Sequence, residues 1–196
     1  MSVAAAMNGQ SVETSLRGKT ILVTRPIEQS REMAAEIERR GGKAVVIPMM
    51  QISEIDWTQC DEAIASLKRY DGVLFTSGNA VEKFFLRCDL KKVFSPAFDA
   101  IKVFAVGEKT ESMLKDYGIR APRVPKEFSS ASLSKMFLQE EVKGRRFLFP
   151  KGNLSREEAP HALRSLGATV DEVDVYKTTP PSGETLREVA ERFLRK

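Results

Sequence analysis

Thr76, Ser77, Gly78 and Asn79 place two hydroxyls, a glycine and a carboxamide between the apolar run Gly72-Val73-Leu74-Phe75 and a segment of helical spacing that starts at Val81. A turn of this composition at a helix start brings backbone N–H groups and hydroxyls to one point, the chemistry that holds a carboxylate or a phosphate. Ser77 or Asn79 could equally cap the helix, and on these residues alone both uses stay open. Three other turns repeat the theme: Thr24-Arg25, residues 107–110 ending in Thr110, and residues 151–156 ending in Arg156. All four are polar, two carry arginine and two carry hydroxyls close to a helix start. Their convergence points to an anion site more strongly than any one turn does.

Other chemistries find little support. His161 is the only histidine and is expected on a helix surface after Pro160. Cys60 and Cys88 fall in predicted helices without metal-ligand spacing, and they read as reduced structural thiols of a cytoplasmic protein. A formal charge of +4 comes from 31 basic and 27 acidic residues mixed along the chain. That balance is compatible with an anionic ligand, and it lacks the basic block that would indicate nucleic acid. The start MSVAAAMNGQSVETS has neither a basic n-region nor a long apolar core, and no apolar run approaches the ~18 residues of a membrane span. The first 16 residues are expected to be a mobile tail.

The elements that must position these turns alternate strand and helix. Strands are predicted over residues 19–24, 43–50, 72–75, 101–106, 121–124, 146–149 and 169–176. Helices are predicted over 29–40 with Met33, Ala34 and Ile37 on one face, then 58–70, from the 77–79 turn onward, from 107 to Gly118, 129–139, through Leu163 and Leu166 to Gly167, and 184–195. Val81, Phe84, Phe85 and Cys88 follow the i, i+3, i+4, i+7 spacing of a buried helix face. Alternation of this kind implies parallel strands with helical crossovers, a doubly wound α/β sheet, whose ligands gather beyond the C-terminal ends of the strands.

An internal repeat extends the pattern. ILVTRPIEQSREMAAEIERRGGKAVVIPM and FLFPKGNLSREEAPHALRSLGATVDEVDV each contain an apolar strand, a basic turn, the tripeptide Ser-Arg-Glu, a helix, a glycine stop and a second strand. Generic βαβ similarity also accounts for this. If the repeat is real, the second copy stops after the helix SGETLREVAERFLRK, where another strand is expected.

RGKTILVTRP, DGVLFTSGNAVEKFF, IKVFAVGEKTESMLKDYG, GRRFLFPKGNLSREE and Val173-Asp174-Val175-Tyr176-Lys177-Thr178 occur in the order and spacing of uroporphyrinogen-III synthase, so the chain resembles that family from about Gly18 to Lys196. The resemblance implies two flavodoxin-like α/β domains joined by a two-stranded connector: a discontinuous domain over 17–47 and 178–196, a complete domain over 52–172, and connector strands over 46–52 and 173–178. It also implies that the first domain is incomplete here, with dimerisation or strand exchange as ways to cover its sheet edge, whereas the full enzyme is expected to be a monomer. The implied reaction needs no cofactor. Hydroxymethylbilane, a linear tetrapyrrole with eight carboxylates, loses its hydroxyl as water and closes with the last pyrrole inverted.

On the same resemblance, Tyr176 of the connector is the proton donor to the departing hydroxyl, although a partly buried aromatic with a wet hydroxyl is the plainer alternative. Thr76, Ser77, Gly78, Asn79 and Thr110 are implied to bind substrate carboxylates, Asn79 standing at a position where relatives vary and Thr110 alternatively being a simple helix-start hydroxyl. Arg25 and Arg156 are implied to pair with carboxylates too, Arg25 alternatively holding a domain interface and Arg156 alternatively being a solvated helix-start arginine.

Two rival classes remain. A response-regulator-like or nucleotide-binding domain is disfavoured because the first strand ends in Thr-Arg-Pro rather than an acidic pair, and neither GxGxxG nor a P-loop glycine is present. A non-catalytic or truncated member of the family, binding an anionic ligand at most, is the stronger rival.

Overall fold

The structure, a computed structural model, describes residues 15–53, 55–121, 130–138 and 141–194. Apart from residues 15, 16 and 121, the expected tail and the strand expected over 121–124 lie outside the described residues. Leu16 belongs to the folded body: its N–H donates to the Arg40 carbonyl at 2.8 Å. The chain divides into two compact units, residues 52–178 and the remainder.

In the smaller unit, β1 (Thr20–Val23) and β2 (Lys43–Val46) pair in parallel, with α1 (Ile27–Arg39) between them in sequence and α7 (Gly183–Leu194) from the other end of the chain. Helix α1 begins two residues before the expected start because Pro26, whose missing N–H costs nothing at a helix entrance, already sets the turn. Its buried face differs from the expected one. Met33 is 39% exposed, while Ser30 and Ile37 are buried. Serine tolerates the position because its hydroxyl is shared between the carbonyls of Pro26 at 3.0 Å and Arg25 at 3.1 Å. The strand expected over 43–50 stops at Val46, since Pro48 has no N–H for a ladder, and a separate strand β3 spans Gln51–Ser53.

The larger unit carries a five-stranded sheet in the order β3-β7-β6-β4-β5, with β4 (Gly72–Phe75), β5 (Lys102–Ala105), β6 (Arg146–Gly152) and β7 (Thr169–Thr179). β4 pairs in parallel with both β5 and β6, and β6 in parallel with β7. All four residues of β4 are buried, as a strand covered on both faces requires. Val73 and Phe75 join one core with residues of α2 (Thr58–Ala65), α3 (Gly78–Leu90) and α4 (Glu108–Asp116). Leu74 joins a second core with residues of α5 (Ser130–Leu138) and α6 (Glu158–Ser165). Alternate side chains of one strand thus point to two helical layers, which makes this unit a parallel α/β sheet wound on both faces.

Two boundaries depart from expectation for local reasons. The helix expected over 58–70 breaks after Ala65 into a short 3-10 turn, Leu67–Arg69, where the Ser66 hydroxyl donates to the Glu62 carbonyl at 2.7 Å and competes with helix continuation. β6 runs past the expected end at Phe149: its register with β4 covers Phe147 and Leu148, and its register with β7 continues through Pro150 to Gly152. Cys60 and Cys88 are buried and free, and burial pushes both thiols up to about 12, so they stay protonated. No helix among the described residues is long and apolar enough to cross a membrane.

Helices α2 and α3 are tied by a two-pronged ion pair, Arg87 Nε to Asp61 Oδ1 at 2.6 Å and Nη2 to Oδ2 at 2.7 Å, with the guanidinium 5.3 Å from the Trp57 ring centroid. The hydrogen bonds from Arg87 hold the Asp61 carboxyl down to about 2. A carboxyl depressed in the folded state stabilises fully above its unfolded value, near ~3.9. That contribution disappears as pH falls toward 2. Asp61→Asn is therefore expected to cost about 1 kcal/mol at pH 6, solvent screening being allowed for. The gap should close in urea titrations taken from pH 4 down to pH 2, and a gap that persists at low pH would refute the linkage.

Candidate functional site

Parallel strands deliver their following turns to one edge of the sheet, and in the larger unit that edge encloses a cavity of about 370 Å³. Thr76 and Ser77 enter from the end of β4, Val106 and Gly107 from the end of β5, Leu154, Ser155 and Arg156 from the turn after β6, and Glu158 from the first position of α6. Tyr176 on β7, Leu133 on α5 and Ala159 on α6 close the wall. Among the described residues, three hydroxyls, a phenol, one guanidinium and one carboxylate thus face an otherwise apolar surface.

Ser77 is fixed before any ligand arrives. It holds an extended backbone at the N-cap of α3, and its Oγ accepts the Ala80 N–H at 3.1 Å. The Tyr176 hydroxyl lies 3.3 Å from the same Oγ, and either can donate. When Ser77 donates, the phenol proton is turned toward the cavity. The tyrosine and serine are 99 residues apart in sequence.

Gly107, at φ +104°, is the N-cap of α4 and supplies no side-chain cap, and α6 likewise begins without one after Glu157. The first-turn N–H groups of both helices are therefore not satisfied by a capping side chain at the edge where the cavity opens. Lys151, basic and near the end of β6, is turned elsewhere: it pairs with Glu172 at 2.9 Å and with Glu157 at 3.6 Å. The hydrogen bond to Glu172 raises its pKa. Among the described residues, Arg156, exposed, is the cation that lines the cavity.

Of the residues the sequence nominates, Thr76, Ser77, Arg156 and Tyr176 come together on this wall. Gly78 and Asn79 lie in the first turn of α3 beside it, Gly78 backing onto Met113 rather than onto the cavity. Thr110 is only 4% exposed, inside the first turn of α4 and off the wall. Arg25 is in the other unit, exposed, just after β1. His161 is exposed on α6. Sequence reasoning did not single out Ser155 or Glu158 as site residues, although the Ser-Arg-Glu tripeptide flagged their turn. Nothing local marks Leu133, which reaches the cavity from a helix distant in sequence.

Comparison with known proteins gives a consistent result. A family model described as uroporphyrinogen-III synthase HemD matches residues 31–196. The chain is 39% identical over 173 residues to a uroporphyrinogen-III synthase of Synechococcus elongatus, covering 87% of this chain and 64% of that protein. It is 33% identical over 178 residues to one of Chlorobaculum parvum, covering 87% of this chain and 68% of that protein. The chain thus spans about two thirds of the length of these relatives. Among solved structures, a mutant uroporphyrinogen III synthase of Thermus thermophilus superposes with a TM-score of 0.63 at 17% identity, over 90% of this chain and 69% of that one. A synthetase of Helicobacter pylori superposes at 0.53 with 14% identity, over 87% of this chain and 67% of that one. At these identities the structural likeness speaks for the fold.

Proposed function

We propose that this chain, which belongs to the uroporphyrinogen-III synthase family, cyclises hydroxymethylbilane with inversion of the last pyrrole, and that the cavity of its larger unit receives the reacting end of the bilane. The observation that carries this reading is the Tyr176 phenol on the cavity wall, 3.3 Å from a serine oxygen already anchored as a helix cap. The phenol protonates the departing hydroxyl, the C–O bond breaks, water leaves, and a cationic azafulvene remains. Ring closure then passes through a spiro intermediate to the inverted isomer, and the proton lost on rearomatisation returns to the Tyr176 phenolate, so that one water is expelled and the phenol is regenerated. No cofactor enters this scheme.

A volume of about 370 Å³ is at the small end of ligand pockets, which run ~300–1,000 Å³. It suits one end of a linear tetrapyrrole rather than its whole length. Arg156 and the uncapped N–H groups of α4 and α6 then hold carboxylates at that end, while Leu133, Leu154 and Ala159 lie against pyrrole faces.

The test is a coupled assay in which hydroxymethylbilane is generated in situ, the chain is added, and type I and type III uroporphyrins are resolved after oxidation. Type III product above the spontaneous background supports the reading. Type I alone would overturn it for this chain and favour a non-catalytic, anion-binding role. Arg156→Gln is expected to raise KM about fivefold with kcat nearly unchanged, the loss of one solvent-exposed charge-assisted contact of ~1 kcal/mol. A fall in kcat with KM constant would remove Arg156 from substrate binding.

A further inference from the structure

We propose that the turn over residues 152–155 is the positioning element for the Tyr176 phenol, with Gly152 the residue that decides where the ring lies; the inference rests on the role given to Tyr176 above. The register of β6 on β7 runs evenly from Arg146 opposite Thr169 to Lys151 opposite Asp174, then jumps, so that Gly152 faces Tyr176 and Val175 is the extra residue. Such a bulge re-aims a side chain, here the one that enters the cavity. The ring then rests directly over Gly152. A Cβ built there would lie 2.4 Å from Tyr176 Cζ, 2.5 Å from Cε2 and 2.8 Å from the hydroxyl oxygen, approaches that no side chain tolerates. Gly152 is not among the positive-φ glycines, so its missing Cβ serves the neighbouring ring and not its own backbone.

Both partners in this contact are pinned. The Gly152 N–H donates to Ser155 Oγ at 3.0 Å, and the Ser155 N–H donates to the Gly152 carbonyl at 3.0 Å. Two residues beyond Tyr176, Thr178 is clamped by Asn153: the Thr178 N–H donates to Asn153 Oδ1 at 2.7 Å, and Asn153 Nδ2 donates to the Thr178 carbonyl at 3.2 Å. The turn therefore fixes the floor under the ring and the strand that carries it. The one hydroxyl of its sequence, Gly-Asn-Leu-Ser, that of Ser155, is engaged with the Gly152 N–H.

The experiment labels tyrosine ring carbons with 13C, identifies the Tyr176 resonance among the three tyrosines by its loss in Tyr176→Phe, and follows it in Gly152→Ala and Asn153→Ala. The Tyr176 resonance is expected to shift in both variants while those of Tyr70 and Tyr117 stay in place. In Gly152→Ala, kcat should fall by up to about 100-fold with KM within about threefold, the signature of a misplaced catalytic group. The double variant should then be no slower than Tyr176→Phe alone, because both changes act through the same phenol. An unmoved Tyr176 resonance in both variants, or losses that multiply in the double variant, would overturn the inference. If Gly152→Ala does not fold, Asn153→Ala, an exposed change, decides on its resonance alone. Full activity in Tyr176→Phe would overturn the proton-donor reading, and the resonance would still judge the positioning on its own terms.

Discussion

Tyr176→Phe is expected to form type III product at least about 100-fold more slowly than the parent chain, the usual scale of a lost general acid, while its melting temperature stays nearly unchanged. The ring remains over Gly152 and keeps its packing, so the variant removes one hydroxyl and little else. That hydroxyl faces the cavity and has Ser77 Oγ at 3.3 Å, so in the folded chain its loss leaves the serine with its Ala80 hydrogen bond intact. The proton needed by the leaving group must then come from water, and the effect should appear in kcat with KM little altered. Measuring both constants in the coupled assay separates this from a binding defect. A tenfold rise in KM with kcat preserved would assign Tyr176 to carboxylate binding instead.

Phe84→Ala is expected to cost ~3–5 kcal/mol of stability in urea unfolding, out of the ~5–15 kcal/mol that holds an ordinary domain together. Phe84 has no exposed surface and sits in a cluster of rings, 5.6 Å from Phe75, 5.7 Å from Phe85 and 6.3 Å from Phe98 by centroid. Those neighbours come from β4, α3 and the segment before β5, and a cavity among elements so anchored closes poorly. The same ring holds α3 against β4, the two elements whose junction is the Thr76-Ser77 turn, so activity should fall with stability. A loss below ~1 kcal/mol would show that the surrounding rings collapse into the space.

Much of this architecture is legible in the chain because the relevant signals are local. The run Gly72-Val73-Leu74-Phe75, the hydroxyl turn and the helical spacing from Val81 to Cys88 lie within seventeen consecutive residues, and each expresses a preference of its own neighbourhood. β4, the Ser77 cap and α3 follow from them. Other expectations erred where a local competitor won. Ser66 turned back onto Glu62 and broke a helix, and Ser30 replaced Met33 on a buried face because its hydroxyl found two carbonyls. Thr110, nominated with the surface hydroxyls, sits buried because a third residue of a helix rotates away from the turn that precedes it.

By itself the sequence determined the alternation of strand and helix, the polar turns at strand ends and the hydroxyl that caps α3, all consequences of spacing and capping within a few residues. Only the tertiary structure decided which turns share a cavity, that Glu158 and Leu133 line it, and that Tyr176 stands over Gly152 and beside Ser77. Register, bulge and strand order depend on packing among segments 99 and more residues apart, and a side chain's reach across that distance is set by the whole core.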